Sequence, residues 1–148
     1  MNLQLLKQPS IHRRLPLTKR DARLLVNALN RLWATRAATA INIEVDFVDK
    51  ETIGALHRDF LQDPSETDVI TFDLGMTPEA RRMAAIVICV PVAQKYAEQY
   101  GVSLREELLR LIIHGALHLL GYDDHTAAGK RRMRIVENKT LNKLAACE

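Results

Sequence analysis

The sequence has no hydrophobic run as long as the roughly 18 residues that a transmembrane helix requires. The N-terminal segment from Met1 to Pro9 is too short and too polar for a secretory signal. The two cysteines, Cys89 and Cys147, lie far apart and match neither a disulfide pattern nor a Cys-x2-Cys metal motif. We therefore expect a protein of the reducing cytoplasm that has no membrane partner.

Internal repeats, low-complexity tracts and linkers are also missing, so we expect the 148 residues to form a single domain over 1–148. Hydrophobic residues make up 47% of the chain, which is enough for a core and too much for a disordered protein. The net charge is only +3.

The Lys and Arg residues are nevertheless clustered, at His12-Arg13-Arg14, Lys19-Arg20, Arg81-Arg82 and Lys130-Arg131-Arg132 with Arg134. Such clusters fit a polyanionic partner such as nucleic acid. The alternative is ordinary solvated helix faces, and charge alone favours that alternative.

Hydrophobic periodicity predicts four strands and five helices in the order β-α-β-α-β-β-α-α-α. Strands are predicted at 3–7, 40–48, 67–72 and 84–90, and helices at 18–35, 50–60, 91–100, 104–120 and from 127 onward. The strand 84–90 is nearly all apolar, which indicates a central strand buried on both faces.

A loop is predicted at 75–82, Phe60 is predicted to face the core, and His12 and His57 are predicted at the surface. The grouping of strands and helices favours an α+β fold with a small mixed sheet.

The motif that carries chemistry is His114-Gly-Ala-Leu-His118-Leu-Leu-Gly121-Tyr-Asp-Asp124-His125, at the end of the apolar helix. His114 and His118 are four residues apart, so they share one face of a helix and can hold one metal ion. Gly121 favours the left-handed turn that often ends a helix. This is the ligand order of zinc enzymes whose third ligand follows a glycine turn. The alternative is a buried pair of histidines capping a core helix.

The third ligand is either Asp124 or His125. The glycine-turn spacing favours Asp124, whereas His is the commoner ligand and reaches further. Three protein ligands leave a position for water or substrate, which indicates a catalytic site that holds Zn²⁺, with other divalent transition metals as substitutes. Gly115 stands where His-Glu-x-x-His peptidases carry their general base, so we do not expect a peptidase of that type.

With Asp68-Val-Ile-Thr-Phe72 upstream of the histidine motif, the chain resembles the YbeY family of bacterial rRNA maturation factors over about residues 40–140. The resemblance implies an α+β fold and a zinc ion on His114, His118 and a third residue. It also implies metal-dependent endoribonuclease activity on single-stranded RNA in the cytoplasm, in 16S rRNA 3′-end maturation and ribosome quality control. The implied partners are 16S rRNA and the ribosome, with no DNA.

The sequence departs from the family's pattern at three places. The usual third ligand is a His where this chain has Asp124, with His125 directly after it. An Arg that many members carry before the Thr-Asp-Val strand is matched by Leu61. Arg58, one helical turn earlier, is the candidate substitute in catalysis, and a solvated helix Arg is the alternative. The Gly and acidic residue that often begin the buried strand are Ala84 and Ala85.

Three functions follow from these residues. The first is a metal-dependent endoribonuclease, in which Arg81 and Arg82 help to hold the RNA backbone and Thr67 and Asp68 line the cleft or cap a turn. The second is a ribosome-assembly factor whose metal is mainly structural. The third is a hydrolase of a small or peptide substrate, in which Asp123 is a candidate general base.

Overall fold

The computed structural model describes residues 1–11, 14–36 and 39–147. Within them it has the predicted order of elements: β1 (Asn2–Lys7), α1 (Lys19–Arg36), β2 (Ile41–Val48), α2 (Lys50–Leu61), β3 (Val69–Met76), β4 (Arg82–Cys89), α3 (Val90–Tyr100), α4 (Leu104–Leu119) and α5 (Ala127–Ala146). Across these ranges no helix has the length and apolar character needed to cross a membrane. His12 and Arg13 of the first basic cluster lie outside the described residues.

The sheet has the strand order β1-β2-β4-β3. β1, β2 and β4 are parallel, and the edge strand β3 runs antiparallel to β4. The predicted α+β fold with a mixed sheet is therefore confirmed. β4 is an inner strand, and its residues Ile86, Val87, Ile88 and Cys89 are buried although they alternate between the two faces.

The two faces of the sheet are covered by different helices. Ile43, Val45 and Phe47 of β2 belong to the larger core, which α1, α4 and α5 close. On the opposite face, Val87 and Cys89 pack with Ile53 of α2 in a smaller cluster. Eleven of the 16 residues of α4 are buried. Polar side chains on so apolar a helix require a partner or a function.

Side chains cap the starts of three helices. Asp49, Ser103 and Thr126 accept hydrogen bonds from the backbone N–H groups of Thr52, Glu106 and Gly129. These caps satisfy N–H groups that have no partner inside the helix. They set the starts of α2, α4 and α5 at the predicted positions.

The loop predicted at 75–82 is present but shorter than predicted. β3 continues to Met76 and β4 begins at Arg82, so only 77–81 join the strands. Gly75 has φ +85° and lies where the β3–β4 pairing shifts register between Asp73 and Met76. The glycine that indicated a loop thus lies in an irregularity of the ladder, and the strand pairing resumes after it.

The predicted positions of Phe60 and His57 are wrong. Ile53 and His57, four residues apart, form the buried stripe of α2, and the Nδ1 atom of His57 lies 2.9 Å from the carbonyl oxygen of Ser65. Phe60 is 68% exposed and contacts Phe72 edge to face, with ring centroids 5.8 Å apart. The hydrogen bond to Ser65 gives the imidazole a polar partner, so the ring can be buried at a position where surface exposure was expected.

Candidate metal centre

The last turns of α4 place His114 and His118 side by side. Their Nε2 atoms lie 3.0 Å apart. The rings meet edge to face with centroids 4.6 Å apart. Both residues are only half-buried, unlike the apolar residues around them. Their ring nitrogens therefore face an accessible cleft.

The turn after α4 brings Asp124 to the two histidines. Gly121 has φ +91°, and the N–H groups of Gly121 and Tyr122 bond to the carbonyl oxygens of His118 and Leu117. The chain thus turns back on its own helix. As a result the Asp124 Oδ2 atom lies 3.6 Å from the Nε2 atoms of both His114 and His118.

These three donor atoms fit a metal ion. Their separations are 3.0, 3.6 and 3.6 Å. Ligand atoms about 2.0 Å from a tetrahedral zinc are about 3.3 Å apart. The group His114, His118 and Asp124 could therefore hold a metal ion.

Hydrogen bonds on the far side of each ring orient the lone pairs. The Nδ1 atom of His114 lies 2.6 Å from Glu137 Oε1, and the Nδ1 atom of His118 lies 3.2 Å from the Tyr122 carbonyl oxygen. A carboxylate and a carbonyl both accept, so each neutral ring carries its proton on Nδ1. Each Nε2 atom then presents a lone pair to the same point as Asp124, which is the arrangement that a cation requires.

Two opposing effects act on the pKa of His114. Burial of the ring lowers this pKa, but the hydrogen bond and charge of Glu137, with the charges of Asp124 and Asp68, outweigh burial, so the pKa is raised. A proton therefore competes with a metal ion for His114 at a higher pH than it would at an ordinary histidine.

A cleft of about 620 Å³ opens beside these residues, between the edge strand β3 and the end of α4. Thr67 and Asp68 line it, and burial raises the pKa of the Asp68 carboxyl. Arg82 also lines the cleft. Its guanidinium donates to the Leu119 carbonyl oxygen at 2.8 Å and to Asp73 Oδ2 at 2.7 Å.

Other candidate residues lie elsewhere. Arg81 is exposed, outside the cleft lining, and donates to Asn42 Oδ1 at 3.0 Å. Arg58 is also outside the lining, and its side chain is 65% exposed beside Asp59. Leu61, the residue that matches the family's Arg, does line the cleft.

The two neighbours of Asp124 are more exposed than Asp124 itself. His125 lines the cleft, but its side chain is 87% exposed and its Nε2 atom lies 3.6 Å from Asp123 Oδ1. Asp123 accepts the His125 backbone N–H at 2.8 Å. Asp123, Asp124 and His125 form a second, more exposed group of donors that shares Asp124 with the first.

Gly115 allows α4 to lie directly against β4. A Cβ atom at this position would be 2.8 to 2.9 Å from three side-chain atoms of Ile86. Ile86 is fully buried. A glutamate cannot occupy this position in this packing, so the structure agrees with setting aside the His-Glu-x-x-His type of site.

Comparisons with known proteins agree with one another. The family model described as Endoribonuclease YbeY matches residues 11–145. A protein named Endoribonuclease YbeY from Bifidobacterium animalis subsp. lactis is 40% identical over 120 residues, covering 74% of this chain and 66% of its own length. A protein of the same name from Nautilia profundicola is 37% identical, and the match covers 80% of this chain and 82% of that protein. Another from Chlorobaculum tepidum is 34% identical, and the match covers 86% of this chain and 93% of that protein.

A solved structure shows the same fold. The solution structure of a Thermotoga maritima protein superposes with a TM-score of 0.61 and covers 96% of this chain and 88% of that protein. Its sequence identity to this chain is 22%, so the likeness concerns the fold alone.

Proposed function

Because the chain belongs to the Endoribonuclease YbeY family, we propose that it is a metal-dependent endoribonuclease that cleaves single-stranded RNA. The single observation that carries the proposal is the convergence of His114, His118 and Asp124 in a cleft. The proposal assigns this activity to one cytoplasmic domain, residues 1–148. It places the activity in 16S rRNA 3′-end maturation and ribosome quality control, with RNA and the ribosome as partners.

We infer that the ion is Zn²⁺ and that His114, His118 and Asp124 hold it. Two imidazoles and a carboxylate form a donor set that suits zinc, and the three donors leave a position open on the cleft side. Zn²⁺ bound there would act as a Lewis acid toward a phosphoryl oxygen or a nucleophile. Asp124 is preferred to His125 because its oxygen is the one near both Nε2 atoms.

The protein's own residues orient this centre and its substrate. Glu137 and the Tyr122 carbonyl fix the two imidazoles. Among the described residues, Arg82 is the one Lys or Arg that lines the cleft. Its guanidinium, held in place by Leu119 and Asp73, is the positive group available to a phosphate there.

The test is cleavage of a labelled single-stranded RNA by metal-free and zinc-loaded protein. We expect cleavage with zinc, loss of cleavage with chelator, and loss of both bound zinc and cleavage in His114→Ala and Asp124→Ala. His125→Ala is the matched neighbour and should keep its zinc. Mapping the product ends, as 2′,3′-cyclic phosphate or 5′-phosphate, identifies whether the 2′-OH or water attacks. Zinc retained by Asp124→Ala but lost from His125→Ala would overturn the ligand assignment.

One observation favours a second candidate, a ribosome-assembly factor with a mainly structural metal. Leu61 lines the cleft where many family members carry an Arg, so no guanidinium comes from that position. This candidate predicts zinc-dependent thermal stability and ribosome association without RNA cleavage by the zinc-loaded protein.

A further inference from the structure

The charges of this chain are segregated on two helices. α1 carries five Lys or Arg residues and one acidic residue, and α5 carries six and one. Together they hold eleven of the chain's 21 Lys and Arg but only two of its 18 acidic residues. The two helices therefore have a net charge of +9, and the remaining residues have a net charge of −6.

All eleven cations of the two helices are exposed. Both acidic residues are buried and ion-paired, Asp21 with Arg105 and Glu137 with Arg110. The exposed charge on both helices is thus entirely positive. Within the part of the chain that the structure describes, none of the eleven pairs with a carboxylate.

The two helices lie side by side in opposite directions. At one end, the Arg20 guanidinium donates to the Cys147 carbonyl oxygen just after α5. At the other end, the Arg36 guanidinium lies 4.1 Å from the ring centroid of Tyr122, shortly before α5. Their exposed sides therefore form one surface, which we call the cationic face: Lys19, Arg20, Arg23, Arg31 and Arg36 of α1, and Lys130, Arg131, Arg132, Arg134, Lys139 and Lys143 of α5.

The cleft at the candidate metal centre has mainly acidic charged side chains, in contrast to the cationic face. Asp68, Asp73 and Asp124 line it, and Arg82 is already paired with Asp73. Among the described Lys and Arg residues, only Arg82 lines this cleft, so apart from the proposed metal ion most of the positive charge available to a polyanion lies outside it. The cationic face begins next to it, because the Tyr122 under Arg36 gives its carbonyl to His118 and α5 starts shortly after His125.

We propose that the cationic face binds the phosphate backbone of RNA outside the cleft and so anchors a strand whose scissile part lies at His114, His118 and Asp124. The choice of RNA as the polyanion rests on the proposed function. The two helices, of 18 and 20 residues, are about 27 to 30 Å long. A surface of this length can contact several consecutive phosphates.

An anionic membrane is the other polyanion to consider. A helix that lies on a membrane inserts a face of Trp, Phe or Leu side chains. Among the described residues of α1 and α5, the large hydrophobic side chain that is exposed is Ile135. The cationic face thus has the charge that phosphates attract and lacks the apolar wedge that lipid requires.

The test compares Arg131→Gln/Arg134→Gln with a matched control, Lys50→Gln/Lys95→Gln. The control removes the same charge from α2 and α3, away from the cationic face. Binding of a long single-stranded RNA is measured by fluorescence anisotropy over a series of salt concentrations. The buffer contains chelator, so that the proposed cleavage does not run, and thermal unfolding shows that each protein is folded.

For Arg131→Gln/Arg134→Gln we expect weaker binding and a slope of log K against log salt that is less steep by about 1.4, since each single-strand phosphate contact contributes about 0.7. The control should follow the wild type. Equal affinity and slope in both double variants, or no RNA binding by the wild type, would overturn the proposal. The proposal would also fail if Arg131→Gln/Arg134→Gln bound phosphatidylserine vesicles more weakly than the control did but bound RNA equally well.

Cleavage separates this proposal from the proposed function. Zinc-loaded Arg131→Gln/Arg134→Gln should cleave a long RNA with a raised KM and cleave a short oligonucleotide that occupies only the cleft like the wild type. A wild type that binds RNA through the cationic face but does not cleave it would leave this inference standing and refute the proposed activity. If the wild type cleaves RNA while Arg131→Gln/Arg134→Gln binds long RNA normally, the proposed activity stands and this inference is refuted.

Discussion

Glu137 is the acidic residue on which the candidate metal centre depends. It is 7% exposed, its Oε1 atom is 2.6 Å from His114 Nδ1, and its Oε2 atom is 3.6 Å from the Arg110 guanidinium. The carboxylate thus fixes the ring of His114 and increases the electron density at the Nε2 atom that faces the site. A carboxylate behind a metal-binding histidine typically improves metal affinity 10-fold to 100-fold.

We predict that Glu137→Gln lowers zinc affinity by about 10-fold to 100-fold, because it removes the charge behind His114 while keeping an acceptor. The raised pKa of His114 should fall in this variant, because Glu137 contributes more to raising it than Asp124 or Asp68 does. The pH below which the apparent zinc affinity begins to decline should therefore move downward. Competition with a chromophoric chelator across pH measures both effects.

The control for Glu137→Gln is Glu79→Gln, which removes an exposed carboxylate from the turn between β3 and β4. Its zinc affinity and pH profile should equal those of the wild type. If Glu137→Gln also matched the wild type in both, Glu137 would have no role in positioning His114.

At the scale of elements, α4 packs closely against β4 where Gly115 meets Ile86. Alanine is the better helix former by about 1 kcal/mol. A Cβ atom here would nevertheless overlap three atoms of a fully buried Ile86. Overpacking of a core costs about 1 to 3 kcal/mol, so the packing cost equals or exceeds the gain in helix propensity.

We predict that Gly115→Ala lowers the free energy of unfolding by up to about 2 kcal/mol, the overpacking cost of about 1 to 3 kcal/mol less the helix gain of about 1 kcal/mol. Urea unfolding measures it. In an Ile86→Ala background the same substitution should become neutral or stabilising, because the overlapping atoms are gone. An equal loss in both backgrounds would exclude Ile86 as the cause.

Asp21 connects the start of α1 to the start of α4. One oxygen accepts from the N–H and hydroxyl of Thr18, and the other pairs with Arg105. Burial raises the pKa of Asp21, but the hydrogen bonds from Arg105 and Thr18 outweigh burial and hold the pKa below its usual value. A lowered folded-state pKa means that the charged carboxylate stabilises the fold above the unfolded-state pKa and that this contribution is lost as the pH falls through the folded-state pKa.

We predict that Asp21→Asn lowers the free energy of unfolding at pH 7 by about 1.5 to 3 kcal/mol, as expected for hydrogen bonds to a charged group. The difference from wild type should shrink below pH 4, as the wild-type carboxyl becomes protonated. Urea unfolding at pH 7, 4 and 3 checks this, with Asp59→Asn at the exposed Arg58 pair as the control. A difference that stays constant with pH would show that the charge of Asp21 contributes nothing.

At the scale of the whole molecule, the sequence predicts those structural features that are determined by residues close together in the chain. Alternating Ile, Val and Phe residues predicted β2, and the spacing of His114, His118 and Gly121 predicted that two imidazoles lie on one face before a turn. Contacts between distant segments could not be predicted in this way. Glu137 is 23 residues from His114, and the Leu119 carbonyl that Arg82 binds is 37 residues away.

One signal for Glu137 was present in the sequence. Met133, Glu137, Thr140 and Leu144 form a stripe at helical spacing, and all four are buried. A lone acidic residue on the apolar stripe of a basic helix requires a buried partner. Periodicity predicts that such a partner exists, but only the packing of α5 on α4 shows that it is His114.

The separation of charge between the cationic face and the rest of the chain also gives the molecule an electric dipole. In the field of a polyanion, the dipole would rotate the protein so that α1 and α5 lead and the acid-lined cleft trails beside them. Such orientation raises association rates at low ionic strength, and the gain is lost as salt screens the field. The protein would thus meet an RNA strand with the cationic face first, and the metal centre beside that face would reach the strand afterwards.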